Sequence, residues 1–217
     1  MKNALIFAVK KGFPALETCF PEAYAPVIKM KPVILQKLKW YIDQVFAPPL
    51  TLCHGDVHLD NIFFDEAFPT GLKFIDFGNI QIAQAGFDLA YFMGQNIDPE
   101  LRRASEKELM QLYHERLVRD GVEGYSLEDC WRAYRMNLFR VLINVMYVTY
   151  DQFVMDAVAK RGMFAAEPTK EMAKLRATYD ATNRRMAQAI ADAEFDKFLE
   201  EEGVTSSNPC KFLPFCA

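Results

Sequence analysis

Three oxygen-bearing side chains have the types and the order that phosphoryl transfer requires. They lie in the segment LTLCHGDVHLDNIFFDEAFPTGLKFIDFGNIQIAQAGFD, residues 50–88. Asp56 could accept the proton of an attacking hydroxyl, Asn61 follows it five residues later, and Asp76 comes directly after an apolar run. Amide and carboxylate oxygens suit Mg²⁺, which binds through one or two carboxylates together with substrate phosphates. The spacing therefore predicts Asp56 as a catalytic base and Asn61 and Asp76 as metal ligands.

Short strands must hold these residues in place. Apolar runs at 50–53, 62–64 and 72–75 are typical of strands, and Pro69-Thr70-Gly71 separates the last two, which predicts a hairpin. A loop that leaves one strand at His54 and enters the next at Ile62 would hold Asp56 and Asn61 facing one cavity. The return strand of the hairpin would bring Asp76 beside them.

Each motif has a plainer interpretation when it is taken alone. Asp56 and Asp76 could be turn residues that cap strands, and Asn61 could be a loop amide, but the three together in this order favour a site. A metallophosphatase would need more than the three histidines present. A protein kinase would carry an A-P-E segment after Asp76-Phe77-Gly78, and none follows. His58, in the same loop, could approach phosphate or substrate, or could simply be solvated or packed.

The rest of the chain favours helices, so we expect an α+β fold with a mainly helical body. Apolar periodicity predicts a helix over 32–46, and Asp98-Pro99-Glu100 predicts a helix that Asp98 caps and that runs to about Asp120. A capping box at Ser126–Asp129 predicts a long helix to about Val158, and a third helix is expected from about Pro168 to about Glu201. Residues 1–30 contain three prolines that should break any long element, namely Pro14, Pro21 and Pro26.

Composition excludes several classes of protein. The chain has 217 residues and a net charge of −4, so no basic excess indicates a nucleic-acid or membrane partner. Five cysteines without a CxxC pair argue against a disulfide framework or a zinc site, and we expect a cytoplasmic protein. Acidic residues on the helix after Asp98 could face a cationic substrate, although a solvated helix face explains them as well; they are Glu100, Glu106, Glu108 and Glu115.

The motifs HGDVHLDN and IDFGN resemble those of the aminoglycoside phosphotransferase and choline-kinase-like superfamily, which has a protein-kinase-like fold. The segment DLAY at 88–91 and the segment at 112–138 are most similar to the ecdysteroid-kinase-like (CHK kinase-like) branch, and the resemblance covers about residues 45–160. It implies ATP and Mg²⁺ as cofactors, a small-molecule hydroxyl as acceptor, Asp56 as base, and Asn61 and Asp76 as magnesium ligands. It further implies that His54 and Asp88 brace the catalytic loop.

The same resemblance implies a nucleotide-binding lobe that has no counterpart in this sequence. Gly12 is the only glycine before the catalytic loop, so no G-x-G-x-x-G loop is present and the nucleotide-binding residues stay unknown. We expect residues 1–202 to form a kinase-like C-terminal lobe, with 1–48 as lobe-linker helices, 50–88 as the catalytic segment and 203–217 as a flexible tail. The chain would then be a partial copy of a small-molecule kinase, or alternatively a non-catalytic binding module.

Overall fold

A computed structural model describes residues 2–160 and 170–203. Short helices and two small sheets occupy the first half, and long helices the second. Single 3₁₀ turns lie at Leu59–Asn61 and Phe77–Asn79. Apart from Gly203, the expected tail at 203–217 lies outside the described residues. In chain order the elements are α1 (Lys2–Cys19), α2 (Ala25–Lys29), α3 (Lys31–Val45), β1 (Thr51–Cys53), β2 (Ile62–Phe64), β3 (Leu72–Phe74), β4 (Gln81–Ala83), α4 (Gly86–Gln95), α5 (Pro99–Arg119), α6 (Leu127–Lys160), α7 (Lys170–Asp192) and α8 (Phe195–Glu201).

The long helix α6 runs through the core, and α1, α3, α4, α5 and α7 pack against it. The middle of α6 is apolar and is buried on all sides. Burial in the core therefore accounts for this apolar run, which is too short to span a bilayer. Helix α1 approaches it closely at Gly12, where a Cβ atom would lie 2.4 Å from Cβ of Met146. No helix within the described residues is long and apolar enough to cross a membrane.

The strands form two separate antiparallel pairs, so the expected α+β class is confirmed. Strand β2 pairs with β3 as the predicted hairpin, with Ile62 opposite Phe74 and Phe64 opposite Leu72. Strand β1 pairs with β4, with Thr51 opposite Ala83 and Cys53 opposite Gln81. Along the chain, the hairpin therefore comes between the two strands of the other sheet. Both sheets end at the loops that carry the motifs.

The predicted helices over 32–46, from Asp98 and from the capping box are confirmed within a few residues. In the capping box, Ser126 Oγ accepts from the Asp129 backbone N–H at 3.1 Å, and the Asp129 carboxylate accepts from the Ser126 backbone N–H at 2.8 Å. Asp98, in contrast, makes no side-chain cap, which corrects that expectation. Its carboxylate pairs with Arg185 instead.

The expectation of a broken N-terminal segment is wrong at Pro14, because α1 continues through it, but α1 ends at Cys19 ahead of Pro21, and Pro26 lies in the first turn of α2. An interior proline costs about 3 kcal/mol. Burying one large apolar side chain returns about 1.5–3 kcal/mol, and Val9, Phe13 and Leu16 on this helix are all fully buried. Several such side chains outweigh one exposed proline.

The third predicted helix is also not continuous. It is divided at Glu194, which has a left-handed backbone (φ 46°), into α7 and α8. Its expected start near Pro168 lies outside the described residues.

Candidate active site

The loop that follows β1 is fixed to helix α4 through the Asp88 carboxylate. Asp88 lies in the first turn of α4, and its two oxygens accept from the backbone N–H groups of His54 at 2.7 Å and Gly55 at 3.0 Å. Burial and this carboxylate raise the pKa of the neighbouring Cys53 thiol to about 11, so that the thiol stays protonated. Asp88 therefore holds the backbone just ahead of Asp56.

His54 connects the same loop to the segment that carries Asp76. Its Nε2 lies 2.9 Å from the carbonyl oxygen of Ile75, and its Nδ1 accepts from the Asp56 backbone N–H at 3.3 Å. Because a carbonyl can only accept, Nε2 carries the proton and Nδ1 is the acceptor. The ring also lies against Phe77, with 4.7 Å between centroids. One imidazole thus spans the backbones beside Asp56 and Asp76.

Gly55 lets the two loops touch. Its φ is +85°, and a Cβ atom built on it would lie 2.1 Å from the carbonyl oxygen of Asn79. A side chain at this position would meet both a left-handed backbone and a backbone oxygen that cannot rotate away. The middle residue of His54-Gly55-Asp56 is therefore glycine for a steric reason, namely the close approach of residues 55 and 79.

Two side chains orient the Asp56 carboxylate. Tyr91 on α4 donates its hydroxyl to Oδ1 at 2.6 Å, and Asn79 donates its Nδ2 to Oδ2 at 3.1 Å. Burial and the Asp56 carboxylate raise the pKa of Tyr91, so this hydroxyl stays a donor. Asn79 ends the IDFGN motif and Tyr91 ends the DLAY segment, but neither motif by itself indicates a contact with Asp56. The available signal was that Tyr91 lies three residues after Asp88 on one helix face.

Asn61 and Asp76 lie on adjacent backbones, because the Ile75 N–H donates to the Asn61 carbonyl at 3.0 Å. The Asn61 Nδ2 donates to the Asp56 carbonyl at 3.0 Å, so its amide oxygen is the group left to act as a ligand. Asp76 has a left-handed backbone (φ 58°, ψ 65°), a strained conformation for a non-glycine residue, and its carboxylate accepts from the Gly78 N–H at 3.4 Å.

This donor set fits Mg²⁺ in chemistry. One carboxylate and one amide oxygen match the few protein ligands that Mg²⁺ takes when phosphates and waters complete its shell. The described residues contain no cluster of three His, Cys, Asp or Glu side chains able to hold a metal. A metal bound here would consequently depend on substrate phosphates for much of its coordination.

A cleft of about 1050 Å³ opens beside Asp56. Its walls come from the 55–60 loop, residues 78–81, and helices α4, α6 and α7. Asp56 lines it, whereas Asn61 and Asp76 lie outside its lining, so the expectation that Asp56 and Asn61 face one cavity is wrong for this cleft. His58 lines it too, with Nε2 4.0 Å from Asp56 Oδ1 and Nδ1 3.8 Å from Asp60. The cleft is large enough for a small molecule.

The acidic residues of α5 take no part in this cleft. Glu106 pairs with Arg102 at 2.8 Å and accepts from the Tyr134 hydroxyl at 2.7 Å, and Glu100 lies 3.7 Å from Arg103. None of the four acids predicted as a substrate face or a solvated face is among the cleft residues. Glu100, Glu108 and Glu115 are exposed, which favours a solvated helix face, whereas Glu106 fits neither interpretation because it pairs with the buried Arg102.

Both small sheets expose large apolar side chains close to the site. Phe64 is 68% exposed and Leu52 is 64% exposed, values far above those of core residues. Apolar surface concentrated in this way marks an interaction surface. The exposed apolar residues of this region, called here the sheet surface, are Leu50, Leu52, Phe63, Phe64, Leu72, Phe74, Ile75, Phe77, Ile80 and Ile82.

Comparison with known proteins adds one finding to this geometry. No curated protein and no solved structure matches the chain. A sequence model of the ecdysteroid kinase-like family matches residues 7–122, which is more than half of the 217 residues and includes both loops of the site. The chain therefore belongs to the ecdysteroid kinase-like family.

Proposed function

We propose that this chain carries the catalytic centre of an ATP- and Mg²⁺-dependent phosphotransferase that acts on a hydroxyl of a small molecule. The observation that carries the proposal is the Asp56 carboxylate, which lines the large cleft while Tyr91 and Asn79 fix its two oxygens. A carboxylate held in this way can accept a hydroxyl proton without first reorganising. Membership of a kinase-like family supports the same reaction class.

Each residue then has a defined task. The acceptor hydroxyl would donate its proton to Asp56 as its oxygen attacks the terminal phosphate. Asn61 and Asp76 would hold Mg²⁺, which supplies charge stabilisation for the transferred phosphoryl group. Asp88 and His54 would keep the loop in register through the backbone contacts described above. Positioning and electrostatics are the main sources of rate in this chemistry.

The adenine-binding part of the enzyme is a further element of the proposal. The sheet surface lies beside the loops of the proposed metal ligands Asn61 and Asp76, where the nucleotide phosphates would bind in this proposal. We propose that a nucleotide-binding lobe, or a partner that replaces it, covers this surface. If nothing binds nucleotide there, the chain is better described as a non-catalytic binding module with a kinase-like cleft.

Phosphoryl transfer from radiolabelled ATP to a panel of small alcohols tests the proposal. The variants are Asp56→Asn and, as a matched control on the same loop, Asp60→Asn, because the Asp60 side chain is 97% exposed. Loss of a general base lowers turnover by about 10²–10⁴-fold, so Asp56→Asn should lose transfer and Asp60→Asn should keep it. Calorimetry with Mg-ATP on both variants separates loss of binding from loss of chemistry.

Equal transfer by wild type and Asp56→Asn would overturn the assignment of the base. Absence of Mg-ATP binding together with absence of transfer would favour the binding-module alternative. Transfer that is lost in Asp56→Asn at unchanged Mg-ATP affinity is the result that the proposal predicts.

A further inference from the structure

Two arginines line the helical side of the cleft, and they differ in how their charge is balanced. Arg185 on α7 pairs with the Asp98 carboxylate, with Nη2 3.0 Å and Nε 3.1 Å from Oδ1. Arg140 on α6 forms no ion pair with any carboxylate of the described residues. Its Nη1 donates to Asn144 Oδ1 at 2.7 Å, and its guanidinium lies 5.3 Å from the centre of the Phe87 ring.

Arg140 is buried, with 7% of its surface exposed. Burial lowers the pKa of its guanidinium, the direction expected for a cation whose desolvation no carboxylate offsets. A guanidinium nevertheless stays protonated in proteins. The protein therefore keeps a desolvated positive charge in the wall of its cleft, an arrangement that is unfavourable until an anion binds.

The guanidinium still has donors to offer. Its Nε and Nη2 make no hydrogen bond within the part of the chain that the structure describes. In that same part, no fully buried side-chain nitrogen or oxygen is without a partner. These two nitrogens must consequently retain some access, and since Arg140 lines the cleft, that access is to the cleft.

The contacts also define where Arg140 lies relative to the base. Phe87 and Tyr91 are one turn apart on α4, with 6.3 Å between ring centroids. Arg140 lies over the first ring, and the second donates to Asp56 Oδ1. Asn79, which precedes β4, holds the other oxygen of Asp56. Asp56 is thus linked to the Asp76 loop through Asn79, and through Tyr91 to the helix against which Arg140 packs.

We propose that Arg140 forms an anion subsite for the acceptor, so that the molecule phosphorylated here carries a carboxylate, sulfate or phosphate group besides its reacting hydroxyl. Naming the bound molecule as the acceptor rests on the proposed function. The existence of an anion subsite at Arg140 does not. Arg140 and Asp56 line the same cleft, whereas Asn61 and Asp76 do not, so we assign the anion to the acceptor rather than to the nucleotide, whose phosphates would lie beside Asn61 and Asp76. Asn144, already bonded to Arg140, lines the same part of the cleft and could add a donor.

Calorimetry with two probes that differ by one anionic group tests the subsite: glycerol 3-phosphate and glycerol. The variants are Arg140→Met and, as the matched control, Arg185→Met on the same wall. Wild type should prefer glycerol 3-phosphate by at least about tenfold, the minimum expected from charge-assisted hydrogen bonds to a guanidinium. Arg140→Met should lose that preference, and Arg185→Met should keep it. A repeat at saturating Mg-ATP should leave the preference in place.

Thermal unfolding separates a binding role from a structural one. Removal of an unpaired buried charge should leave the melting temperature of Arg140→Met unchanged or raised. If Arg140→Met does not fold, that result argues for a structural role, and Arg140→Lys then decides: retained preference for glycerol 3-phosphate supports the subsite, and lost preference overturns it. Equal binding of both probes by wild type also overturns the proposal. So does competition between glycerol 3-phosphate and Mg-ATP, since Arg140 would then bind nucleotide phosphate.

None of these measurements requires turnover. Anion binding by a chain that neither binds Mg-ATP nor transfers phosphate would favour the binding-module alternative and leave the subsite standing. Transfer without a preference for the anion would support the proposed function and overturn the subsite.

Discussion

Replacing Gly55 by alanine tests whether the two loops of the site are in direct contact. Gly55 has φ +85°, and a Cβ atom there would lie 2.1 Å from the Asn79 carbonyl oxygen and 3.0 Å from its carbon. The left-handed backbone costs alanine about 1–2 kcal/mol. Overlap with a packed backbone group adds about 1–3 kcal/mol. Gly55→Ala should therefore lower the free energy of unfolding by about 2–5 kcal/mol.

Gly121→Ala is the matched control. Gly121 has φ +91°, and nothing lies within 4 Å of an added Cβ atom. This variant should lose only the backbone contribution of about 1–2 kcal/mol. Urea unfolding of both variants gives the difference directly, provided that the slope with denaturant is unchanged. Equal losses for the two variants would refute the close contact of residues 55 and 79. A larger loss in Gly55→Ala, accompanied by weaker phosphoryl transfer, would support it.

Three further predictions concern the scaffold. Arg102→Ala leaves the Glu106 carboxylate without its cation, while Asp192 keeps its ion pair with Arg103. The free energy of unfolding should therefore fall by about 3–5 kcal/mol in urea unfolding; a loss near zero would contradict the network. Ser126→Ala removes one half of the α6 capping box and should cost about 1 kcal/mol. The Ser126 hydrogen bonds lower the pKa of the Asp129 carboxylate. The stability that comes from these bonds is therefore present above about pH 4 and is lost as pH falls through the folded-state pKa. The stability of Ser126→Ala should consequently depend less on acid pH than that of wild type. Burial raises the pKa of Tyr91 above its ordinary value of about 10. The stability that the protonated Tyr91 hydroxyl contributes is therefore present below about pH 10 and is lost as pH rises towards the folded-state pKa. In unfolding measured at several alkaline pH values, wild type should lose more stability than Tyr91→Phe.

Local sequence signals were sufficient for the elements that carry the motifs. The hairpin could be predicted because Pro69-Thr70-Gly71 separates two short apolar runs. The α6 start could be predicted because a capping box involves only residues three apart. Such features depend only on neighbouring residues in the chain, so the sequence alone is enough to predict them.

Features that depend on distant residues could not be predicted. Helix α1 continues through Pro14 because α6 buries its apolar face, and no pattern within residues 2–19 reports that contact. The unbalanced charge of Arg140 is likewise a property of its surroundings, since α6 itself shows only an arginine in an apolar run. The hydrogen bonds of Tyr91 and Asn79 to Asp56 join residues more than twenty positions apart.

The proposed function requires Asn61 and Asp76 to hold a divalent cation together with nucleotide phosphates. Electron paramagnetic resonance titration of Mn²⁺, in the presence of ATP, measures that binding on the full chain. Loss of even an outer-shell partner weakens a metal site by about 10–100-fold, so Asp76→Asn should weaken Mn²⁺ binding by at least about tenfold, while Asp60→Asn leaves it unchanged. Equal Mn²⁺ affinity in wild type and Asp76→Asn would contradict the account.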